Sequence, residues 1–162
     1  MIAPVSEDRL ALISQSHARQ MSLCDDLEVI ADGLPSNVNL QLCLHLARAV
    51  CPTVAAAHEV EERVLFPAVK TLSTTLPDID SMIERLRWEH FEDMCFAEEL
   101  HDALLAIGRG EPTMTPEAAG YMLRGFFESV RRHVAFEREM LSPLMELALR
   151  KAEAGRLSRT AS

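Results

Sequence analysis

The chain has 162 residues, which fits a single domain and is long enough to bury a substantial core. Apolar residues make up 48% but aromatics only 5%; Leu, Ala, Met and Glu are abundant and β-branched runs scarce, which favours helix packed on helix. The formal net charge of −9 speaks against nucleic acid or an anionic membrane surface as a partner, because both select clustered Lys and Arg.

The opening residues, Met1 to Asp8, lack the basic segment and apolar run of a secretory signal. No apolar stretch is read as approaching membrane-spanning length, so a cytoplasmic location is expected. Cys24, Cys43, Cys51 and Cys95 are widely spaced and form no Cys-x-x-Cys pair, which suits small buried thiols better than disulfides or a zinc site.

Proline and glycine cluster at Gly33 to Pro35, at Pro77, and from Gly108 to Pro116, and these breaks leave four helical segments. The first is predicted over 6–32, with apolar residues recurring at Leu10, Ile13, Met21, Leu27 and Ile30. Ser36 is the expected N-cap of the second, which extends to about Leu72 and should be kinked or split by Pro52. The third starts near Pro77-Asp78 and ends at Gly108 as a C-cap. The fourth has Thr115 as N-cap and Pro116 at its first position, and Pro143 should bend it late. Short connections predict antiparallel neighbours: an all-α, up-down-up-down four-helix bundle with a kinked second helix over 1–150, then a flexible tail over 151–162.

A pattern recurs within this frame. His58-Glu-Val-Glu-Glu62 and His133-Val-Ala-Phe-Glu137 each place an imidazole and a carboxylate one turn apart on one face, and each is followed by a proline, Pro67 and Pro143. Counting along antiparallel helices puts His58, His90 and His133 at one level, about 20 Å from their shared turns. His17 is out of step with His58 by about 10 Å unless a kink or break at Pro52 absorbs the difference. A lone His, or a lone His-x-x-x-Glu pair, is ordinary helix surface. Four histidines and two carboxylates on four helices at compatible levels point to a metal centre. The zinc-protease helix pattern fails because Glu62 stands where a second His is required, and only Glu98-Glu-Leu-His101 has the ferritin-like Glu-x-x-His spacing.

These residues, in this order, resemble the hemerythrin-like domains with their His-His-Glu cation-binding signature. The likeness runs from His17 and the Ile30 to Pro35 turn, through His58 to Pro67 and Glu89-His90, to His133 and Pro143. The resemblance implies two iron ions in a non-haem di-iron site, bridged by an oxo or hydroxo group. His17, His58, His90 and His133 would be nitrogen ligands and Glu62 and Glu137 bridging carboxylates, with Glu59 and Glu61 as neighbouring alternatives. Oxygen-carrying hemerythrins have a further His one turn beyond the position of His90. Here that residue is Met94, and Asp93 is the nearest polar substitute. About two coordination positions are then left to water, Asp93 or substrate, which favours sensing or reaction with oxygen, nitric oxide or peroxide over oxygen storage. The implied partner is such a small diatomic ligand, with room for a homodimer or a protein partner. A binding or sensing protein is favoured over a dedicated enzyme, with redox catalysis, iron-centre repair or iron handling as the alternative.

His45 is assigned to the surface, and His101 lies about 16 Å along the helix from His90. Trp88, Phe91, Phe96, Phe126, Phe127 and Phe136 are expected to cluster round the ligand layer as core packing, which would also give the ligands an apolar shell.

Overall fold

The computed structural model describes residues 5–160, and side chains over 8–156. Among the described residues there is no strand. Helix α1 spans Val5–Gly33, and α2 spans Leu40–Val60, passing through a π-helical turn (Glu61–Leu65) into α3 (Phe66–Lys70). Helix α4 spans Ile79–Gly108. Helix α5 spans Pro116–Phe136 and passes through a second π-helical turn (Glu137–Leu141) into α6 (Ser142–Thr160). The result is four long helical segments joined by three loops and packed as a helical bundle, with α2 mainly against α4 and α1 mainly against α5.

The ends follow local chemistry. Thr115 caps α5 by accepting a 3.2 Å bond from the Ala118 N–H, with Pro116 at the first helical position. The second segment begins later than Ser36 because Asn39 is its cap, accepting from the Leu42 N–H at 3.0 Å. Helix α4 does end at Gly108, but the residue that turns the chain is Gly110, at φ 75°. The Gly110 N–H bonds the Ile107 carbonyl and the Glu111 N–H bonds the Ala106 carbonyl, the paired closure of a Schellman motif. Gly108 serves packing instead: a Cβ there would lie 2.7 Å from the Leu44 side chain of α2.

Helix α2 continues unbroken through Pro52, so the segment is not split there. The late start of α2 takes up most of the level mismatch. His17 lies 16 residues before Gly33 and His58 lies 18 after Leu40, a difference of about 3 Å. Residues 151–160, read as a tail, continue α6, as their Ala, Glu, Lys, Arg and Leu content allows; 161–162 lie outside the described residues.

Two thiols depart from the expectation of burial. Cys24 and Cys43 are buried, but Cys51 is half-buried and Cys95 exposed, and all four are free. One apolar run is longer than the sequence suggested. The run Leu40–Lys70 is long and apolar enough, by length and composition, to cross a membrane. In the bundle its stripe of Cys43, Leu46, Ala47, Val50, Val54 and Ala57 is buried in the core, as in the core helix of a folded bundle.

The apolar interior is in two parts. The larger joins Leu27, Leu46, Leu104, Leu123 and Phe126, near the ends of the helices that meet at the Gly33 and Gly108 loops. The smaller joins Ile13, Phe66, Leu86, Leu141 and Met145. Along the helical segments His17, His58, His90, Glu61 and Glu137 fall between the two, and His133 lies at the edge of the larger, one residue before Val134.

Candidate metal centre

The two carboxylates that enter this middle layer are Glu61 and Glu137, 1% and 0% exposed. Both lie on buried helical stripes. On α2 the stripe Val50, Val54, Ala57 is continued by Glu61, and on α5 the stripe Leu123, Phe127, Val130, Val134 is continued by Glu137. Glu62, one residue further round, leaves the stripe, and its carboxylate accepts from Arg87 Nε at 3.0 Å.

Each glutamate opens a π-helical turn, and the following proline accounts for that turn. Glu61 and Glu137 both head a Glu-x-x-x-Leu-x-Pro sequence ending at Pro67 and Pro143. A proline inside a helix has no N–H and its ring clashes with the carbonyl four residues back. In both places the ladder widens just before it: the Phe66 N–H reaches the Glu61 carbonyl and the Ser142 N–H the Glu137 carbonyl, each five residues back.

The histidines converge on these carboxylates. From α1, His17 Nε2 lies 2.8 Å from Glu137 Oε2; from α4, His90 Nε2 lies 2.6 Å from Glu61 Oε2. From α5, His133 Nε2 stands 3.5 Å from Glu61 Oε2 and 3.5 Å from Glu137 Oε1. Each carboxylate therefore sits between two imidazoles. His58 stacks on His90 with ring centroids 3.9 Å apart, and its Nε2 is 3.9 Å from Asp93 Oδ2. The structure thus brings together His17, His58, His90, His133 and Glu137 of the six expected donors, with Glu61 in the interior and Glu62 at the rim.

Outer carboxylates face the far side of two of these rings. Glu62 Oε1 lies 3.5 Å from His90 Nδ1, and Glu89 Oε2 lies 3.7 Å from His133 Nδ1. Sequence reasoning gave Glu89 no role. It also missed Phe66, which is 1% exposed and stacks on His90 at 5.5 Å. Conversely Trp88 and Phe91 are 67% and 60% exposed and form no shell, because they lie two positions before and one after inward-facing His90, on the outer side of α4. His45 is exposed, and His101 contacts the Ala47 carbonyl away from the layer.

The electrostatics of His133 and His58 are opposite. Burial disfavours the charge on His133, but the carboxylates of Glu137 and Glu61 outweigh it and push its pKa up to about 11. Burial raises Glu137, yet His133 and His17 outweigh it and bring it down to about 2. Burial and then the charge of His90 push His58 down to about 4, leaving its nitrogen lone pair free at neutral pH. Burial raises Asp93.

The donor set suits a cation. Ligand atoms of Glu61, His90 and His133 all lie within 4.8 Å of one another. Glu61 Oε1, His133 Nε2 and Glu137 Oε1 are buried without a hydrogen-bond partner, a costly state that a bound cation would relieve. Imidazole with carboxylate is a combination that divalent transition metals accept.

A family model, the hemerythrin HHE cation binding domain, matches residues 8–145. No curated protein and no solved structure matches the chain.

Proposed function

The chain belongs to the hemerythrin HHE cation-binding family, and from that premise we propose that it is a non-haem di-iron protein that senses, or reacts with, oxygen, nitric oxide or peroxide. The observation that carries this reading is the chain of alternating donors His17, Glu137, His133, Glu61, His90, in which each carboxylate stands between two imidazoles. On Glu137 the two imidazoles approach different oxygens, His17 at Oε2 and His133 at Oε1, whereas on Glu61 both approach Oε2 and leave Oε1 buried without a partner, so both carboxylates would have an oxygen to offer a cation. We assign His17, His58, His90, His133, Glu61 and Glu137 as the ligand set, with Glu61 in place of Glu62.

An iron pair, when bound, supplies a redox-active centre able to accept small diatomic or peroxide ligands. The chain's own residues set its surroundings. Phe66 covers one face of His90 and the two apolar cores close the layer above and below, which limits water. Glu62 and Glu89 orient His90 and His133 from outside. Met94 stands where oxygen carriers have a further His, so one protein donor fewer is available, which favours reaction or sensing over storage.

Supported by charge, composition and loop length, the same proposal includes an up-down-up-down course with a bend at Pro52. It also includes a cytoplasmic location and association with a second copy or a protein partner.

The test is iron content, with absorption spectra of reduced, oxidised and nitric-oxide-treated protein purified without chelators. Two irons per chain are expected in the native protein and in Glu62→Ala, whereas Glu61→Ala and Glu137→Ala should lose at least ~100-fold in affinity. Equal iron in native and Glu61→Ala protein overturns the ligand assignment. A long-lived oxygenated state that releases oxygen intact overturns sensing or reaction in favour of storage.

A further inference from the structure

Two grooves of about 300 Å³ approach the middle layer from opposite sides. One lies between α1 and α2 and is lined by Ser16, Arg19, Thr53 and Ala57 among others; none of the six proposed ligands borders it. The other lies between α4 and α5, which meet sparsely compared with the pairs α2–α4 and α1–α5. Its walls include Arg85, Glu92, Asp93, Ser129, Arg132 and His133.

Two residues make this second groove continuous with the layer. His133 turns its Nδ1 edge toward Glu89, another groove residue, while its Nε2 faces Glu61 and Glu137 inside. Asp93 lines the groove, and its Oδ2 lies 3.9 Å from His58 Nε2. Asp93 is therefore the floor of the groove and the wall of the layer at once. Of the two arginines, Arg85 is held by Glu89 at 3.4 Å and lies over the Phe136 ring. Arg132 is exposed and makes no ion pair among the described residues.

We infer that water-borne reactants reach the histidine–carboxylate layer through the α4–α5 groove, past Arg132 at its mouth and Asp93 at its floor. The inference rests on the metal-centre reading and adds its direction of access. Small apolar gases can pass through a breathing apolar core, but a hydrated reactant needs a polar path, and the charge at the mouth of that path then sets how fast a charged probe enters.

The test uses iron-loaded native protein and azide as the probe, read as the association rate of its absorption change at low salt. Arg132→Glu should slow association at least ~3-fold, while Arg19→Glu, which changes the net charge equally but in the other groove, should leave it unchanged. Raising the salt should narrow the difference between the two variants. Ser129→Trp, filling the groove, should slow azide association and chelator-driven iron loss ~10-fold with iron stoichiometry kept, and Thr53→Trp should not. Ser129→Phe covers the case in which the tryptophan variant does not fold.

Equal rates in Arg132→Glu and Arg19→Glu, or slowing by the α1–α2 variants alone, overturn the inference while leaving the metal centre standing. Native protein that takes up no iron overturns both, and iron content, measured first, separates the two failures.

Discussion

The α2–α3 and α5–α6 segments are two versions of one device. Each carries a buried stripe into a glutamate, a π-helical turn and a proline six residues after the glutamate. They differ in where the histidine stands. His133 precedes its glutamate by four residues and lies 3.5 Å from it, whereas His58 precedes Glu61 by three and faces Asp93 and His90 instead. The first keeps a proton and the second sheds it. One residue of spacing goes with a different set of neighbours, glutamates round His133 and a second imidazole against His58, and those neighbours together with burial set opposite charge states.

The largest way to separate the two halves lies just before each proline. Phe66 is buried against His90, while its counterpart Ser142 is only half-buried. Phe66→Ala should cost ~3–5 kcal/mol in denaturant unfolding and Ser142→Ala no more than ~0.5 kcal/mol. Equal costs would mean that the halves are energetically alike.

The prolines test what the halves share. Pro67→Ala and Pro143→Ala restore a backbone donor and remove the clash, so each should stabilise the metal-free protein by ~1–3 kcal/mol while weakening metal binding as its π turn relaxes. A variant that gains stability with unchanged metal affinity would show that the π turn does not position the glutamate.

Proton linkage gives the smallest effect per step. His133, raised to about 11, adds stability to the metal-free protein fully below its ordinary 6.5, and that stability is lost as pH rises toward 11. Glu137, lowered to about 2, adds stability above 4.5 that is lost as pH falls toward 2. His58, lowered to about 4, adds stability above 6.5 that is lost as pH falls toward 4. A metal must displace the His133 proton but finds His58 already neutral, so His133 alone should make affinity rise about tenfold per pH unit from 6.5 to 9 as its proton is released. Calorimetry in buffers of different ionisation enthalpy measures that proton, and metal uptake without release at pH 7 refutes the asymmetry.

Much of this was legible in the sequence because it depends on local punctuation and period. Thr115-Pro116 and the Gly108 to Pro112 break marked helix ends, and residue counts put His58, His90 and His133 at one level. His17 looked misplaced chiefly because Ser36, rather than Asn39, was taken as the cap, which starts α2 three residues early. Glu62 was preferred because it repeats the distance from His to Glu. Counting from the prolines, or along the stripe Val50, Val54, Ala57, finds Glu61 as the carboxylate that is buried. Trp88 and Phe91 were placed near the ligands by sequence proximity, but neighbours of an inward helical residue point elsewhere. The α4–α5 groove was not legible at all, since it depends on how loosely two helices meet.

The polar layer also divides the apolar interior in two. Cooperative unfolding depends on continuous contact, and here the continuity between the two cores passes through imidazoles and carboxylates. A cation held in the layer would join the two cores, so without it the ends of the bundle should unfold as two units rather than one. In the metal-free chain, amide exchange near Phe66, Leu86 and Met145 would part company with that near Leu46, Leu104 and Phe126. A partner that distinguishes a stiff bundle from a segmented one could read the centre without touching it.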